Sequence, residues 1–210
     1  MHPDAISRLL EPYAALNSKQ LEQTSSYLGL LLKWNAKVNL TGVRGTENVV
    51  ARHFGESFFA ARQLLPPEAE TSVIDLGSGA GFPGLPLAIF APRALVTLIE
   101  PNAKKTAFLN EVISALRLSN ARVARQRGDH FAGSAELVTM RAVERFEAAV
   151  PIALDLVCHW GRLALMIGLS QTVMARTLTP KVSWSEPVQI PGSNSRVILV
   201  GTKVGKNQSG

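Results

Sequence analysis

The residues best suited to chemistry lie in one short segment, residues 73–84, which reads VIDLGSGAGFPG. Its acid, Asp75, is followed by three glycines spaced two apart, Gly77, Gly79 and Gly81. A buried strand that ends in glycines just before a helix brings backbone N–H groups close to a nucleotide. The segment therefore predicts a cofactor-binding loop.

The spacing of the glycines distinguishes between cofactors. A dinucleotide fingerprint, G-x-G-x-x-G, would need glycine where Phe82 stands. The pattern acid-x-G-x-G-x-G instead suits S-adenosylmethionine, because a nearby carboxylate can interact with its cationic amine directly or through water. Glu100 ends the next predicted strand, where a carboxylate can accept hydrogen bonds from two ribose hydroxyls. The alternative is that the glycines only make a tight turn and that Glu100 interacts with a helix dipole.

Two later strand ends carry further candidates. Gly128 and Asp129 follow the third predicted strand, from which a loop usually meets the adenine ring, although Gly-Asp is also an ordinary turn signal. Arg141 follows the fourth strand, at the sheet edge where ligands lie in doubly wound folds. It is either a ligand contact or the partner of Glu144 in a surface ion pair.

S-adenosylmethionine donates methyl groups, and motifs that are absent from the sequence limit which chemical group could accept the methyl. Attack on a pyrimidine carbon needs a cysteine nucleophile beside a proline, whereas the one cysteine, Cys158, is predicted to lie buried in a helix. Transfer to an exocyclic amine usually uses an Asn/Asp-Pro-Pro-aromatic loop, and the fourth strand leads instead into Met140-Arg141-Ala142-Val143. A ring nitrogen such as N7 of guanine has a free lone pair, so alignment and electrostatics suffice.

The elements that position these residues follow from hydrophobic periodicity. Helical patterns cover about residues 4–16, the region from residue 19, and residues 46–65, where Pro66-Pro67 stops the helix. Short β runs then alternate with helices, which predicts an α/β fold with a mostly parallel, doubly wound sheet. Two late β runs, 181–190 and 195–203, are joined by a short loop and predict an antiparallel C-terminal edge hairpin. We expect a helical extension, residues 1–65, packed on a cofactor-binding core, residues 66–210.

Composition limits the class of protein. The chain has 210 residues and 46% hydrophobic content, enough for one sizeable domain with an extension. The absence of a long apolar run and of a signal-peptide pattern predicts a cytoplasmic protein that does not bind membranes. One cysteine allows neither a disulfide framework nor a cysteine metal site, and we expect no metal. A formal charge of +6 favours polyanionic partners without requiring them.

With these residues identified, the sequence resembles the ribosomal RNA small subunit methyltransferase G family (RsmG, also called GidB), which methylates N7 of a guanine in small-subunit ribosomal RNA. The resemblance covers nearly the whole chain. Its specific part precedes the sheet: Lys33-Trp34-Asn35, Asn39-Leu40-Thr41, and Arg52-His53 with Ser57. It implies a class I, Rossmann-like methyltransferase fold, S-adenosylmethionine as cofactor and the 16S rRNA of the small ribosomal subunit as partner. We expect a monomer that does not act on DNA.

The resemblance also assigns roles to residues. The implied cofactor contacts are Gly77, Phe82, Gly128, Asp129 and Arg141, with Glu100 at the ribose. Candidates for positioning the target are Asn39, Arg52, His53 and Arg141, and no residue is assigned to catalysis. His53 could equally be a satisfied core histidine, and Trp34 either core or a platform for an unstacked base.

Two departures from the family keep other functions open. Glu56 stands where the family usually has Asp, and Ile167-Gly168 stands where it commonly has Lys-Gly. The missing lysine motivates an alternative, a class I methyltransferase acting on a small molecule or a protein. A second alternative is a non-catalytic rRNA-binding assembly factor, against which the intact glycine loop argues. Basic residues that either contact phosphates or form a solvated face are Lys33, Lys37, Arg44, Arg52, Arg122, Arg125 and Arg127.

Overall fold

A computed structural model describes residues 1–142 and 145–204. The helices are α1 (Pro3–Leu10), α2 (Ser18–Asn35), α3 (Thr46–Val49), α4 (Glu56–Leu64), α5 (Gly84–Phe90), α6 (Ala103–Ala115), α7 (Phe146–Asp155) and α8 (Gln171–Leu178). A π-helical segment (Val50–Gly55) joins α3 to α4, and Gly128–His130 form a 3-10 turn. The strands are β1 (Ser72–Leu76), β2 (Leu95–Ile99), β3 (Ala121–Ala124), β4 (Ala135–Arg141), β5 (Val157–Gly168), β6 (Val182–Trp184), β7 (Val188–Gln189) and β8 (Arg196–Lys203).

The strands form one sheet with the order β3-β2-β1-β4-β5-β8-β6, and β7 pairs with β8. Strands β1 to β5 are parallel. Strand β8 is antiparallel to β5, β6 and β7. The prediction of a mostly parallel sheet with antiparallel C-terminal strands is therefore confirmed. The sheet reverses its winding between β1 and β4, and ligands of such folds lie at the carboxyl ends of strands at that point.

Two hydrophobic clusters cover the sheet. The larger one contains the buried side chains of α1, α2 and α4 together with those of α5 and α6, so the N-terminal helices and the sheet share one core. The smaller one contains side chains of α7 and α8 packed on β4, β5 and β8. This sharing of core fixes the N-terminal helices as a wall beside the sheet.

The helices follow from local signals, with one exception. Asn17 and Gln20 form a capping box at the start of α2, and Thr24, Tyr27, Leu28 and Leu31 form its buried face. The predicted helix over residues 46–65 is present as α3, the π-helical segment and α4. Periodicity did not predict the wider turn at Val50–Gly55, because a π-bulge adds one residue without changing which residue types are apolar.

Three expectations were wrong in detail. The first helix ends at Leu10 instead of residue 16. Cys158 lies in β5, only partly buried, because the preceding helix α7 ends at Asp155 and β5 begins at Val157. Helix α8 was not predicted. Glu144, the surface partner considered for Arg141, lies outside the described residues, as does the end of the predicted core beyond residue 204.

No helix in the described part of the chain combines the length and apolar character needed to cross a bilayer. Within residues 1–142 and 145–204, no cluster of three or more His, Cys, Asp or Glu side chains is arranged to hold a metal ion.

Candidate functional site

The glycine loop is held against the sheet by its backbone. Gly77, Gly79 and Gly81 have φ values of 71°, 57° and 92°, a region that side chains disfavour. The N–H groups of Gly77 and Ser78 both donate to the carbonyl of Ile99, the last residue of β2. The predicted loop therefore lies at the carboxyl ends of β1 and β2.

The glycines of this loop face different surroundings. A Cβ at Gly81 would lie 2.5 Å from both Leu85 Cδ1 and the Tyr27 hydroxyl. A Cβ at Gly79 would have no neighbour closer than the Gly77 carbonyl oxygen, at 3.8 Å. Gly81 is thus required by core packing, whereas a side chain at Gly79 would occupy space next to the loop that a ligand could use.

The side chain of Asp75 lies inside the protein. Its side chain is fully buried, one carboxylate oxygen accepts from the Thr139 hydroxyl at 2.8 Å and the other from the Gly84 N–H at 3.2 Å. Burial raises the pKa of Asp75 to about 6, against the hydrogen bonds from Thr139 and Gly84, which lower it. The carboxylate joins β1 to β4 and to the start of α5, so it shapes the loop from beneath.

Glu100 lies immediately beside the loop. Its Oε2 accepts from the Gly79 N–H at 3.0 Å and its Oε1 from the Asn102 N–H at 2.9 Å. The residue is 5% exposed, and each oxygen retains a second lone pair. These two bonds hold the carboxylate in one orientation at the end of β2, suited to accept hydrogen bonds from a diol.

An open cleft of about 450 Å³ lies between the glycine loop and the N-terminal wall. Its lining residues are Leu40, Thr41, Gly42, Val43, Arg52, His53, Gly77, Ser78, Gly79, Ala80, Phe82, Lys105, Arg141 and Ala142. They include three cationic side chains and, within the described residues, no carboxylate. The predicted residues brought together here are Gly77, Gly79, Phe82, Arg52, His53 and Arg141.

The remaining predicted residues lie outside this lining. Asp75 and Gly81 belong to the loop segment but face the core, and Glu100 lies beside the loop. Gly128 and Asp129 form the 3-10 turn after β3, where the Asp129 carboxylate binds the Arg127 guanidinium at 3.0 Å. Asn39 is exposed one residue before the lining begins.

Asn35 organises the loop that contains Asn39. Its Oδ1 accepts from the N–H groups of Leu40 and Thr41 at 2.8 and 2.9 Å, and its Nδ2 donates to the Thr41 carbonyl. The last residue of α2 therefore fixes where residues 40–43 enter the cleft. Trp34, the preceding residue, packs against Phe108 and donates to Glu111. Its side chain therefore packs against helix α6 and does not line the cleft.

His53 has both ring nitrogens engaged. Its Nδ1 faces Arg141 Nη2 at 3.3 Å, and since a guanidinium can only donate, Nδ1 is the acceptor. The proton is then on Nε2, which donates to the Thr41 hydroxyl. Burial, with the charges of Arg141 and Arg52, lowers the pKa of His53 to about 3. His53 is therefore a neutral side chain that holds Arg141 and Thr41 in place.

Arg141 is fixed by the N-terminal wall. Its two terminal nitrogens contact the Arg52 carbonyl at 2.8 Å and Glu56 Oε2 at 3.1 Å, and also the Ser57 hydroxyl and the His53 carbonyl at 3.3 and 3.4 Å. Its side chain is 10% exposed, and burial lowers its pKa. The interpretation of Arg141 as a surface residue is not supported by this burial. Most of its N–H groups donate hydrogen bonds to protein atoms, and Nε has no hydrogen-bond partner among the described residues.

Glu56 is shared by two arginines. Its Oε1 accepts from Arg196 of β8 at 2.7 Å, while Oε2 binds Arg141 of β4. The Glu56 side chain is 2% exposed. One buried carboxylate thus ties the start of α4 to two strands of the sheet.

Phe82 and Tyr27 join the loop to α2 and the π-helical segment. The Phe82 ring stacks on Tyr27 and on His53, with centroid distances of 5.3 and 5.0 Å. The buried Tyr27 hydroxyl donates to the Ala80 carbonyl, and burial raises its pKa well above the usual value. The loop is therefore supported from the N-terminal wall as well as from the sheet.

Sequence reasoning missed several residues of the site. Tyr27, Asn35 and Lys105 were not assigned roles here, and Glu56 was noted only as a departure from the family. Helical spacing from Thr24 to Leu31 indicates that Tyr27 is buried, but no local signal identifies the carbonyl 53 residues away that its hydroxyl binds. Arg196 carried no signal at all.

Comparison with known proteins gives a consistent result. The chain matches the family model described as rRNA small subunit methyltransferase G over residues 20–196. It is 38% identical to ribosomal RNA small subunit methyltransferase G of Chloroflexus aggregans, over 92% of this chain and 86% of that protein. It is 38% identical to the protein of that name from a Roseiflexus species, over 90% and 86% of the two chains.

Solved structures match at the level of the fold. Magnesium protoporphyrin IX methyltransferase from Synechocystis, with bound S-adenosylmethionine, superposes with a TM-score of 0.64 at 17% identity, over 90% of this chain and 99% of that one. A ribosomal protein L11 methylase from Lactobacillus delbrueckii gives 0.61 at 9% identity, over 73% and 79%. The architecture is that of class I, Rossmann-like methyltransferases.

Proposed function

Because the chain belongs to the rRNA small subunit methyltransferase G family, we propose that it transfers a methyl group from S-adenosylmethionine to N7 of a guanine in 16S rRNA by direct in-line displacement. The observation that carries this proposal is the cleft between the glycine loop and the N-terminal wall. The cleft combines a loop of exposed backbone with three cationic side chains. Among the described residues that line it, none is available to act as a general base.

The residues present fit S-adenosylmethionine. Gly79 leaves space for a ligand next to the loop, and Glu100 is oriented to accept from the ribose hydroxyls. Gly128 and Asp129, after β3, would meet the adenine, and Arg141 would contribute its charge and Nε–H. Asp75 would act on the cofactor by holding Gly84 and the loop in place. When bound, the cofactor supplies a methyl group made electrophilic by the sulfonium sulfur, to which the C–S bonding pair returns.

The state of His53 supports a nitrogen that carries a free lone pair as the acceptor. An amine or hydroxyl acceptor must lose a proton, which calls for a base near the reacting atoms. His53 donates from Nε2 and accepts at Nδ1, and its pKa is lowered to about 3, so it takes up no proton near neutral pH. N7 of guanine needs no deprotonation, so alignment by the cleft walls is sufficient.

The cations of the cleft favour RNA. Arg52, Lys105 and Arg141 line a cleft without carboxylates among the described residues, and such groups position phosphates without reading sequence. The methyl group must approach the edge of the base, which is reached when the base has left its stack, so the proposed substrate is a single-stranded or looped segment of rRNA. We further propose a cytoplasmic monomer that acts on the small ribosomal subunit or its RNA.

The test is nucleoside mapping of small-subunit rRNA by mass spectrometry in cells with and without the gene. One 7-methylguanosine should be lost, and it should return with the wild-type gene but not with Gly79→Val. A modification map that is unchanged by loss of the gene would contradict the proposal. Methyl label should then be sought in small molecules and proteins.

A further inference from the structure

A second recess opens behind Arg141. It measures about 170 Å³ and shares Arg52, Arg141 and Ala142 with the cofactor cleft, but no residue of the glycine loop lines it. We propose that this recess binds the RNA phosphate next to the target nucleotide, with Arg196 as its principal cation. The proposal rests on the proposed function, since it assigns a subsite to the same RNA.

Charge supports an anionic ligand. Three arginines, Arg52, Arg141 and Arg196, line the recess, and Glu56 is the one carboxylate among its described lining residues. Three positive charges against one negative charge leave a net charge of +2, which attracts an anion.

The hydrogen-bonding capacity of Arg196 supports the same ligand. Its Nε and Nη2 both bind Glu56 Oε1 at 2.7 Å, which leaves three guanidinium N–H groups without a partner among the described residues. The side chain is 34% exposed, so these groups are accessible from the recess. A guanidinium held at one edge by a buried carboxylate is oriented in advance for a phosphate at the other.

The position of the recess distinguishes RNA phosphate from the cofactor. Arg141 stands between the two spaces and is held there by Glu56, His53 and Ser57. The proposed cofactor would occupy the glycine-loop side. A strand that places one base in the cleft would therefore lay its adjoining backbone across Arg141 into the recess, whose other walls include the apolar Met166, Ile167 and Ile190.

The register of β5 and β8 places Ile167 and Arg196 on opposite faces of the sheet. Gly168 pairs with Arg196 across β5 and β8, and Ile167 pairs with Val197. Arg196 therefore brings a cation to the end of β5, on the face opposite to the one that residue 167 occupies.

The test uses two variants with a matched control. Gln171→Glu adds a negative charge to the recess and keeps the oxygen that accepts from Gly168 N–H at 3.0 Å. Arg196→Gln removes the proposed cation. Gln63→Glu makes the same charge change on the exposed end of α4, outside both spaces. For each protein, KM and kcat would be measured with unmodified 16S rRNA at several salt concentrations, and S-adenosylmethionine affinity by calorimetry.

We expect KM for RNA to rise about tenfold in Gln171→Glu and Arg196→Gln, with kcat and cofactor affinity within twofold of wild type and no change in Gln63→Glu. In Arg196→Gln the slope of log KM against log salt should fall by about 0.7, the value for one phosphate contact on a single strand. Unchanged KM and slope would overturn the proposal, and so would an equal loss of cofactor affinity, which would assign the recess to the cofactor.

A separate binding measurement keeps this proposal distinct from the proposed function. Fluorescence anisotropy with a 12-nucleotide single-stranded RNA, in the presence of S-adenosylhomocysteine, needs no methyl transfer. Weaker binding by Gln171→Glu than by Gln63→Glu supports the recess even if wild-type protein methylates no rRNA, and equal binding by both overturns it.

Discussion

The two walls of the cleft are built in different ways. The glycine loop, residues 75–84, presents backbone, and its conformation is fixed by positive φ values and by bonds to Ile99 and Asp75. The N-terminal wall presents side chains, and those of its residues 35–57 are held in a polar network around Arg141. The conformation of the glycine loop therefore restricts which residue types can occupy it. The opposite wall depends instead on contacts between residues that lie far apart in the chain.

The strongest test of this contrast is Glu56→Ala. Removing the buried carboxylate leaves Arg141 and Arg196 without their shared counter-charge, so the free energy of unfolding should fall by about 3–5 kcal/mol. Urea denaturation measures this loss. Glu56→Asp, which is shorter by one methylene, should lose less. A loss below about 1 kcal/mol in Glu56→Ala would mean that the network does not hold the wall.

Next in size is a pair of glycine variants. Gly81→Ala forces a Cβ against Leu85 and Tyr27 and should lower the free energy of unfolding by about 2–3 kcal/mol. Gly79→Ala should cost about 1–2 kcal/mol, for its positive φ alone, yet it should weaken S-adenosylmethionine binding at least tenfold. Thermal denaturation and calorimetry separate the two effects. Equal cofactor affinity in Gly79→Ala and wild type would refute the role given to Gly79.

The pH dependence of stability should have opposite signs on the two walls. His53, with its pKa lowered to about 3, stays neutral in the folded chain, so stability is lost as pH falls from about 6.5 towards 3. Asp75, with its pKa raised to about 6, gains stability as pH falls from about 6 towards 4. Between pH 4 and 6 the two contributions oppose each other.

His53→Gln removes one of these contributions. As pH falls from 6.5 to 4, the variant should gain stability relative to wild type by up to about 1.4 kcal/mol per pH unit. Urea denaturation at several pH values measures the difference. A difference that does not change with pH would show that His53 titrates alike in the folded and unfolded chains.

The smallest effect is expected where the two walls meet. Tyr27→Phe leaves the Ala80 carbonyl without its buried donor and should cost about 1–2 kcal/mol. Tyr13→Phe is the control, since the Tyr13 hydroxyl makes no hydrogen bond to any described residue, and it should change stability by under about 0.5 kcal/mol. Similar losses in both variants would indicate that the Tyr27 hydroxyl does not support the loop.

The same contrast explains what the sequence could predict. The parallel sheet and the glycine loop follow from short-range patterns, namely alternating β and helical runs and the spacing of Gly77, Gly79 and Gly81. The burial of Asp75 beneath the loop depends on Thr139, which lies 64 residues later. The network of Arg141 joins residues up to 140 positions apart, such as Glu56 and Arg196. Such pairings arise from the packing of α4 on β4 and β8, which no local pattern encodes.

Because of the π-helical segment, the position of side chains in the N-terminal wall depends on how many residues the segment contains. The segment from Val50 to Gly55 contains one residue more than a regular α-helical turn would hold there. Deleting a single residue there would leave a regular α-helical turn and change the directions in which the side chains of the segment itself, His53 among them, leave the helix axis. His53 would then leave Phe82 and Thr41 although every contacting side chain was still encoded. The length of this helix, more than its composition, holds the wall in register with the loop.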